Sequence, residues 1–136
     1  MIQRIQSLYL LGASICALLS FKFPFYSGQK KINAEQKYLT ASDNFGILLL
    51  TIVLAVGILA IIFLYKNRKK QIKYTLVALV VSIITVVIYF FAKKDFVSGT
   101  YSFGAILPVA IPVLLGLAAW NIRKDEKLVK SLDRLR

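Results

Sequence analysis

The carboxylates come first, because they would carry any acid–base chemistry. Six are present: Glu35, Asp43, Asp95, Asp125, Glu126 and Asp133. No two of them stand at a spacing that pairs a general acid with a general base. The chain has no His, which removes the commonest general base and the commonest metal ligand. Its one Cys, Cys16, has no neighbouring Cys or His for a metal site and no partner for an intrachain disulfide. No Ser/His/Asp set and no glycine-rich phosphate loop is present. The expectation is a protein that is not an enzyme and holds no cofactor or metal.

Cationic chemistry is better represented. Eighteen Lys and Arg stand against six Asp and Glu, a net charge of +12. They crowd two segments. Lys66, Arg68, Lys69, Lys70 and Lys73 share one short turn, and Arg123, Lys124 and Lys127 lead a basic C-terminal stretch. Such clusters meet the phosphates of anionic lipid, and they also act as plain topology anchors beside membrane spans. In a soluble protein this charge would suggest nucleic acid. Here nucleic acid is expected only as part of a docked ribosome.

The elements that must position these groups are apolar runs. Residues 5–21, 45–65, 74–92 and 104–122 contain no charged side chain, and all the charges fall at the chain ends or between the runs. The chain has 136 residues, is 58% hydrophobic and has a mean hydropathy of +0.70. A soluble domain of this size has too small an interior to hide four such runs. A helix of about 20 residues crosses the ~30 Å hydrocarbon core. The runs do not alternate in polarity as barrel strands do. The expected fold class is therefore all-α: one domain over 1–136, an integral membrane four-helix bundle. The first run reads as a retained span, because no small-x-small cleavage site precedes a polar segment.

Basic residues orient the bundle. Four spans place the N-terminus, the 66–73 turn and the tail on one side with twelve Lys and Arg, and six on the other. Lys and Arg are retained inside. Both termini and the 66–73 turn are expected in the cytoplasm, in a bacterial inner membrane. The short turn makes the second and third spans antiparallel neighbours. The outward segment 22–44 follows Phe21 and opens on Phe23, Pro24, Phe25 and Tyr26, a cluster whose rings suit the membrane interface. Pro24 ends the first helix, Ser27-Gly28-Gln29 reads as a turn, and Ser42-Asp43-Asn44 as a helix cap. The segment is expected to be a lid or contact surface.

Gly104, Pro108, Pro112 and Gly116 recur every four residues and form one stripe on the fourth span. The stripe suits close helix packing, and both prolines are expected to kink the helix. A broken helix at a substrate site is the sharper alternative, but it lacks an inward charge. Hydroxyls in the spans, such as Thr51, Thr75, Ser82 and Thr85, are expected to bond the carbonyl one turn back. The tail 123–136 extends the fourth helix as an amphipathic cytoplasmic helix. Its apolar stripe, Leu128, Val129, Leu132 and Leu135, needs a surface: the bundle itself, the membrane or a partner.

Three segments together resemble a known family. They are Met1-Ile2-Gln3-Arg4-Ile5-Gln6-Ser7-Leu8-Tyr9-Leu10-Leu11, Asn67-Arg68-Lys69-Lys70-Gln71-Ile72 and the ending from Lys124-Asp125-Glu126 to Leu135-Arg136. They are similar to a family of small four-span inner-membrane proteins of the Bacteroidota, described as a domain of unknown function (number 4293). Members tend to carry Arg and Ala where this chain has Lys130 and Leu132. The resemblance implies a four-span bundle in the inner membrane and brings no activity or site residue with it. The functional expectation is an accessory or structural subunit of a larger inner-membrane complex, in contact with membrane lipids and a membrane-protein partner or a second copy. A protein translocation or insertion machine is one host of this kind. The alternative is a small transporter or lipid-handling protein built around the Pro108/Pro112 kink.

Overall fold

The computed structural model describes residues 2–32 and 35–134. Four helices follow the four apolar runs: α1 (Ile2–Leu19), α2 (Phe45–Phe63), α3 (Arg68–Ala92) and α4 (Ile106–Arg134). α2 starts where the polar triplet predicts. Asn44 caps it by accepting from the Gly46 N–H at 3.2 Å. Asp43 closes the preceding turn by accepting from the Thr40 N–H at 2.6 Å and its hydroxyl at 2.8 Å. A single 3-10 turn, Leu64–Lys66, joins α2 to α3 and makes them antiparallel neighbours.

Each helix packs on the next, and α4 closes the ring onto α1. The buried positions recur at intervals of three and four. They are Ile47, Thr51, Leu54, Ile58 and Ile61 on α2, and Pro108, Ile111, Leu115, Ala118, Ile122 and Asp125 on α4. This is the seam of helices packed along their lengths. On α3 the buried seam is polar: Gln71, Thr75, Ser82, Thr85 and Tyr89. Its outward face carries Val77, Val80, Ile83, Ile84, Val87 and Phe91. The outside of the bundle is thus more apolar than α3's inside. Leu8 is 70% exposed and Phe63 79%. Water would penalise such a surface, and hydrocarbon accepts it. Three helices are long and apolar enough to cross a membrane, and α1 contributes a shorter apolar stretch, Ile5–Leu19.

The buried hydroxyls behave as predicted. Thr51, Thr75 and Thr85 donate to the carbonyls of Ile47, Gln71 and Val81 at 2.7–2.9 Å, and Ser82 donates to Leu79. Other side chains reach across instead, among them Gln71, which donates to the Ile61 carbonyl on α2 at 3.4 Å. Gln6 donates to the Asn121 carbonyl on α4 at 3.2 Å, and Ser14 donates to the Ala55 carbonyl on α2 at 3.4 Å.

The fold is mostly helical but not all-α, which corrects the expected class. The segments between α1 and α2 and between α3 and α4 supply a three-stranded antiparallel sheet. Its strands are β1 (Tyr26–Lys30), β2 (Gln36–Leu39) and β3 (Phe96–Tyr101), in the order β2-β1-β3. Ser27-Gly28-Gln29, expected as a turn, is the middle of the central strand. Gly28 pairs with Gly99, and the two backbones lie so close that a Cβ on Gly28 would strike the Ser98 carbonyl oxygen. The glycines are there because the strands touch.

Candidate functional site

The two basic segments meet at one end of the bundle, the turn end. Arg68, Lys69 and Lys70 occupy the first turn of α3, with Lys73 one turn on and Lys66 in the preceding 3-10 turn. Asn67 caps α3 without a side-chain hydrogen bond. Cations at a helix N-terminus oppose the helix dipole, so this placement is not explained by helix stability. Carboxylates from α4 offset it. Arg68 Nη1 lies 3.0 Å from Asp125 Oδ2 and donates to the Asp125 carbonyl at 3.3 Å. Asp125 is only 8% exposed, and its Oδ2 receives no directed hydrogen bond, so charge holds it. Glu126 pairs with Lys130 at 3.0 Å, and this cation, with Lys69 nearby, holds its carboxyl below the usual range.

Asp125 stands just past the fourth apolar run, in the basic tail. The bundle closes over it, since it continues the Leu115-Ala118-Ile122 seam. That spacing was visible, but only Arg68 on a distant helix makes burial tolerable.

Beyond Asp125, α4 runs on as one unbroken helix to Arg134, as expected of the tail. Arg123, Lys124 and Lys127 are exposed on it. So is the apolar stripe in part: Leu128 and Val129 are 44% and 40% exposed, and Leu132 is 66% exposed. The stripe is therefore only partly covered within the chain. Leu135 lies outside the described residues.

The small-residue stripe divides between several partners. Gly104 sits in a 3-10 turn ahead of α4, where a Cβ would strike the Pro24 carbonyl oxygen and lie 2.8 Å from the Phe23 carbonyl carbon. It packs a turn of the chain, not a helix. Pro108 is buried in the first turn of α4, where its missing N–H leaves no bond unmade. The expectation that both prolines kink the helix is corrected for Pro108. Pro112 is inside α4 and removes the bond to the Pro108 carbonyl. Gly116 faces α3, where a Cβ would stand 3.8 Å from Leu79.

Two concavities were not visible in the sequence. An apolar groove of about 370 Å³ lies between α2 and α3, bounded by Val53, Gly57, Ala60, Tyr74, Ala78 and Val81. Gly57 opens it, since a Cβ there would meet nothing within 4 Å. At the opposite end, the sheet's polar face forms a shallow cup of about 240 Å³ among Ser27, Gln29, Gln36, Tyr38, Ser98 and Thr100. Beneath the sheet Phe25 stacks on Tyr89 with ring centroids 4.7 Å apart, and meets Phe90 and Tyr101 edge-on. Lys93 lies 4.3 Å from the Tyr101 ring centre and donates to that Tyr's hydroxyl at 2.6 Å, which holds its ammonium above the usual range. The interfacial rings Phe25 and Tyr26 are thus one packed joint between helices and sheet. Among the described residues, no group of three or more His, Cys, Asp or Glu stands together to hold a metal ion.

Fold and surface define a class: a small helical bundle capped by a three-stranded sheet, with helices long and apolar enough to span a membrane, as a membrane protein requires. Within that class the chain belongs to the family described as Domain of unknown function (DUF4293), whose model matches residues 2–135. No curated protein and no solved structure matches the chain.

Proposed function

We propose that the chain is a non-enzymatic accessory subunit of a larger assembly in a bacterial inner membrane, with four spans and both termini in the cytoplasm. The orientation rests on the excess of Lys and Arg at the turn end and in the tail. α1 has 18 residues, a rise of ~27 Å, close to the ~30 Å hydrocarbon core. One observation carries the functional reading. α4 is tied to α3 by Arg68–Asp125 and then projects an amphipathic helix on which Leu128 and Val129 are 44% and 40% exposed and Leu132 66%. A helix held rigidly at its base loses little further freedom on docking, and its apolar stripe gains most when a partner covers it. Glu126 and Asp133 dilute the basic charge of this segment, which suits a protein groove better than anionic lipid alone. A protein translocation or insertion machine is a fitting host, since its cytoplasmic face meets ribosomes.

The test is purification of the tagged chain from its native membrane in mild detergent, with quantitative mass spectrometry. A stoichiometric membrane-protein partner should co-purify and be lost from Leu128→Ser/Leu132→Ser, while the thermal stability of the chain is unchanged. Migration alone, or a partner indifferent to both substitutions, refutes the reading. A second reading, a lipid-handling protein, is favoured by the α2–α3 groove and not by the Pro108/Pro112 pair first considered for it.

A further inference from the structure

The groove between α2 and α3 and the basic turn that joins those helices are continuous. The groove ends at Leu64 and Tyr74, beside the 3-10 turn that carries Lys66. On α3 the lining face runs Tyr74, Val77, Ala78 and Val81. One helical turn earlier the same face carries Lys70 and Lys73, because residues four apart lie one above the other. Both lysines are exposed. Chemistry thus changes sharply along one line, from cations to a Tyr hydroxyl to an apolar trough opened by Gly57.

Length identifies the occupant. The lining runs from Val53 on α2 to Leu64 in the turn, a rise of ~16 Å, about half the ~30 Å hydrocarbon core. A partner helix would need a trough along the whole span. One acyl chain of one leaflet needs half of it. The cations stand at the end where that leaflet's phosphates lie.

We propose that this groove is a binding site for one anionic phospholipid of the leaflet at the turn end. An acyl chain lies beside Gly57, and the phosphate meets Lys70 and Lys73, with the Tyr74 hydroxyl at the level of the glycerol. The bound lipid is a structural ligand, and the proposal holds whichever functional reading is right.

The experiment uses the full chain in neutral detergent and follows thermal unfolding on addition of dioleoyl phosphatidylglycerol, dioleoyl phosphatidylcholine or inorganic phosphate. Phosphatidylglycerol should raise the Tm at least three times as much as phosphatidylcholine, and phosphate alone should leave it unchanged. Gly57→Leu fills the trough and also improves helix propensity, so it should fold at least as well and lose most of the lipid shift. Lys70→Gln/Lys73→Gln should reduce phosphatidylglycerol to the phosphatidylcholine level. Equal shifts with both lipids, an equal shift with phosphate, or a full shift in Gly57→Leu each overturn the proposal. So does efficient disulfide dimerisation of Ala60→Cys in a Cys16→Ser background, which would give the groove to a second copy.

Discussion

Removing Arg68 should cost more than removing its partner, and the difference follows from burial. Arg68→Met leaves Asp125 buried, with an Oδ2 that no N–H addresses. Stranding a fully buried charge costs about 3–5 kcal/mol. The Arg68 side chain is 26% exposed and that of Asp125 11%, so water reaches the pair's edge. The expected loss is therefore about 2–3 kcal/mol. Asp125→Asn leaves a guanidinium that can turn to water and keep its bond to the carbonyl of residue 125, for about 1 kcal/mol. Arg68→Met/Asp125→Asn removes both charges and should lie within about 1 kcal/mol of the parent, a coupling of about 2–4 kcal/mol. Unfolding in mixed micelles, followed by the fluorescence of Trp120, the only Trp, reads all four proteins on one scale. Equal losses for the two single variants, or additive losses in the double variant, would show that the pair is not a buried joint. The account of a locked tail would then fall.

Gly28→Val should destabilise the sheet end by about 1–3 kcal/mol through overpacking, seen as faster amide exchange across β1 and β3 with α4's tail unaffected. Phe25→Ala removes a ring that is 2% exposed and stacked on Tyr89, and should cost about 3–5 kcal/mol in the same unfolding assay. Thr85→Val should cost less than about 1 kcal/mol, because the lost hydroxyl serves only its own helix; a larger loss would reveal an interhelical partner. Lys130→Gln should let the Glu126 carboxyl rise toward the usual value, read by carbon NMR titration. Glu126 is depressed when folded, so its pairing helps above the unfolded carboxyl range and fades as pH falls through the lowered folded value.

The helices were legible because an uncharged run long enough for a bilayer leaves few alternatives. The cap at Asn44, the back-bonded threonines and the continuous tail are local features, and local rules found them. The sheet was illegible for the opposite reason. Tyr26–Lys30 is short and carries Ser-Gly, which alone reads as a turn, and its strand character comes from Phe96–Tyr101 beyond two helices. A signal did exist, since Ser27-Gly28 and Ser98-Gly99 repeat one dipeptide in the two segments. The burial of Asp125 was illegible for the same reason, because it depends on Arg68, far off in the sequence. Gly104 was read as part of a helix-packing face, and its actual neighbour, the Phe23–Pro24 backbone, could not be named from spacing within one helix.

The sheet also dictates an order of assembly. β1 follows α1 and β3 precedes α4, so α2 and α3 must both be in place before the two strands can meet. In a membrane, neither strand can cross back to search for the other once its helices are seated. A chain halted before Phe96 holds only the β1–β2 hairpin, which is marginal alone and offers a bare strand edge. Closure by β3 removes that edge and clasps the first helix pair to the second. The strand pairing is thus a checkpoint ahead of α4, by which a chain that has passed Tyr101 differs from every shorter one.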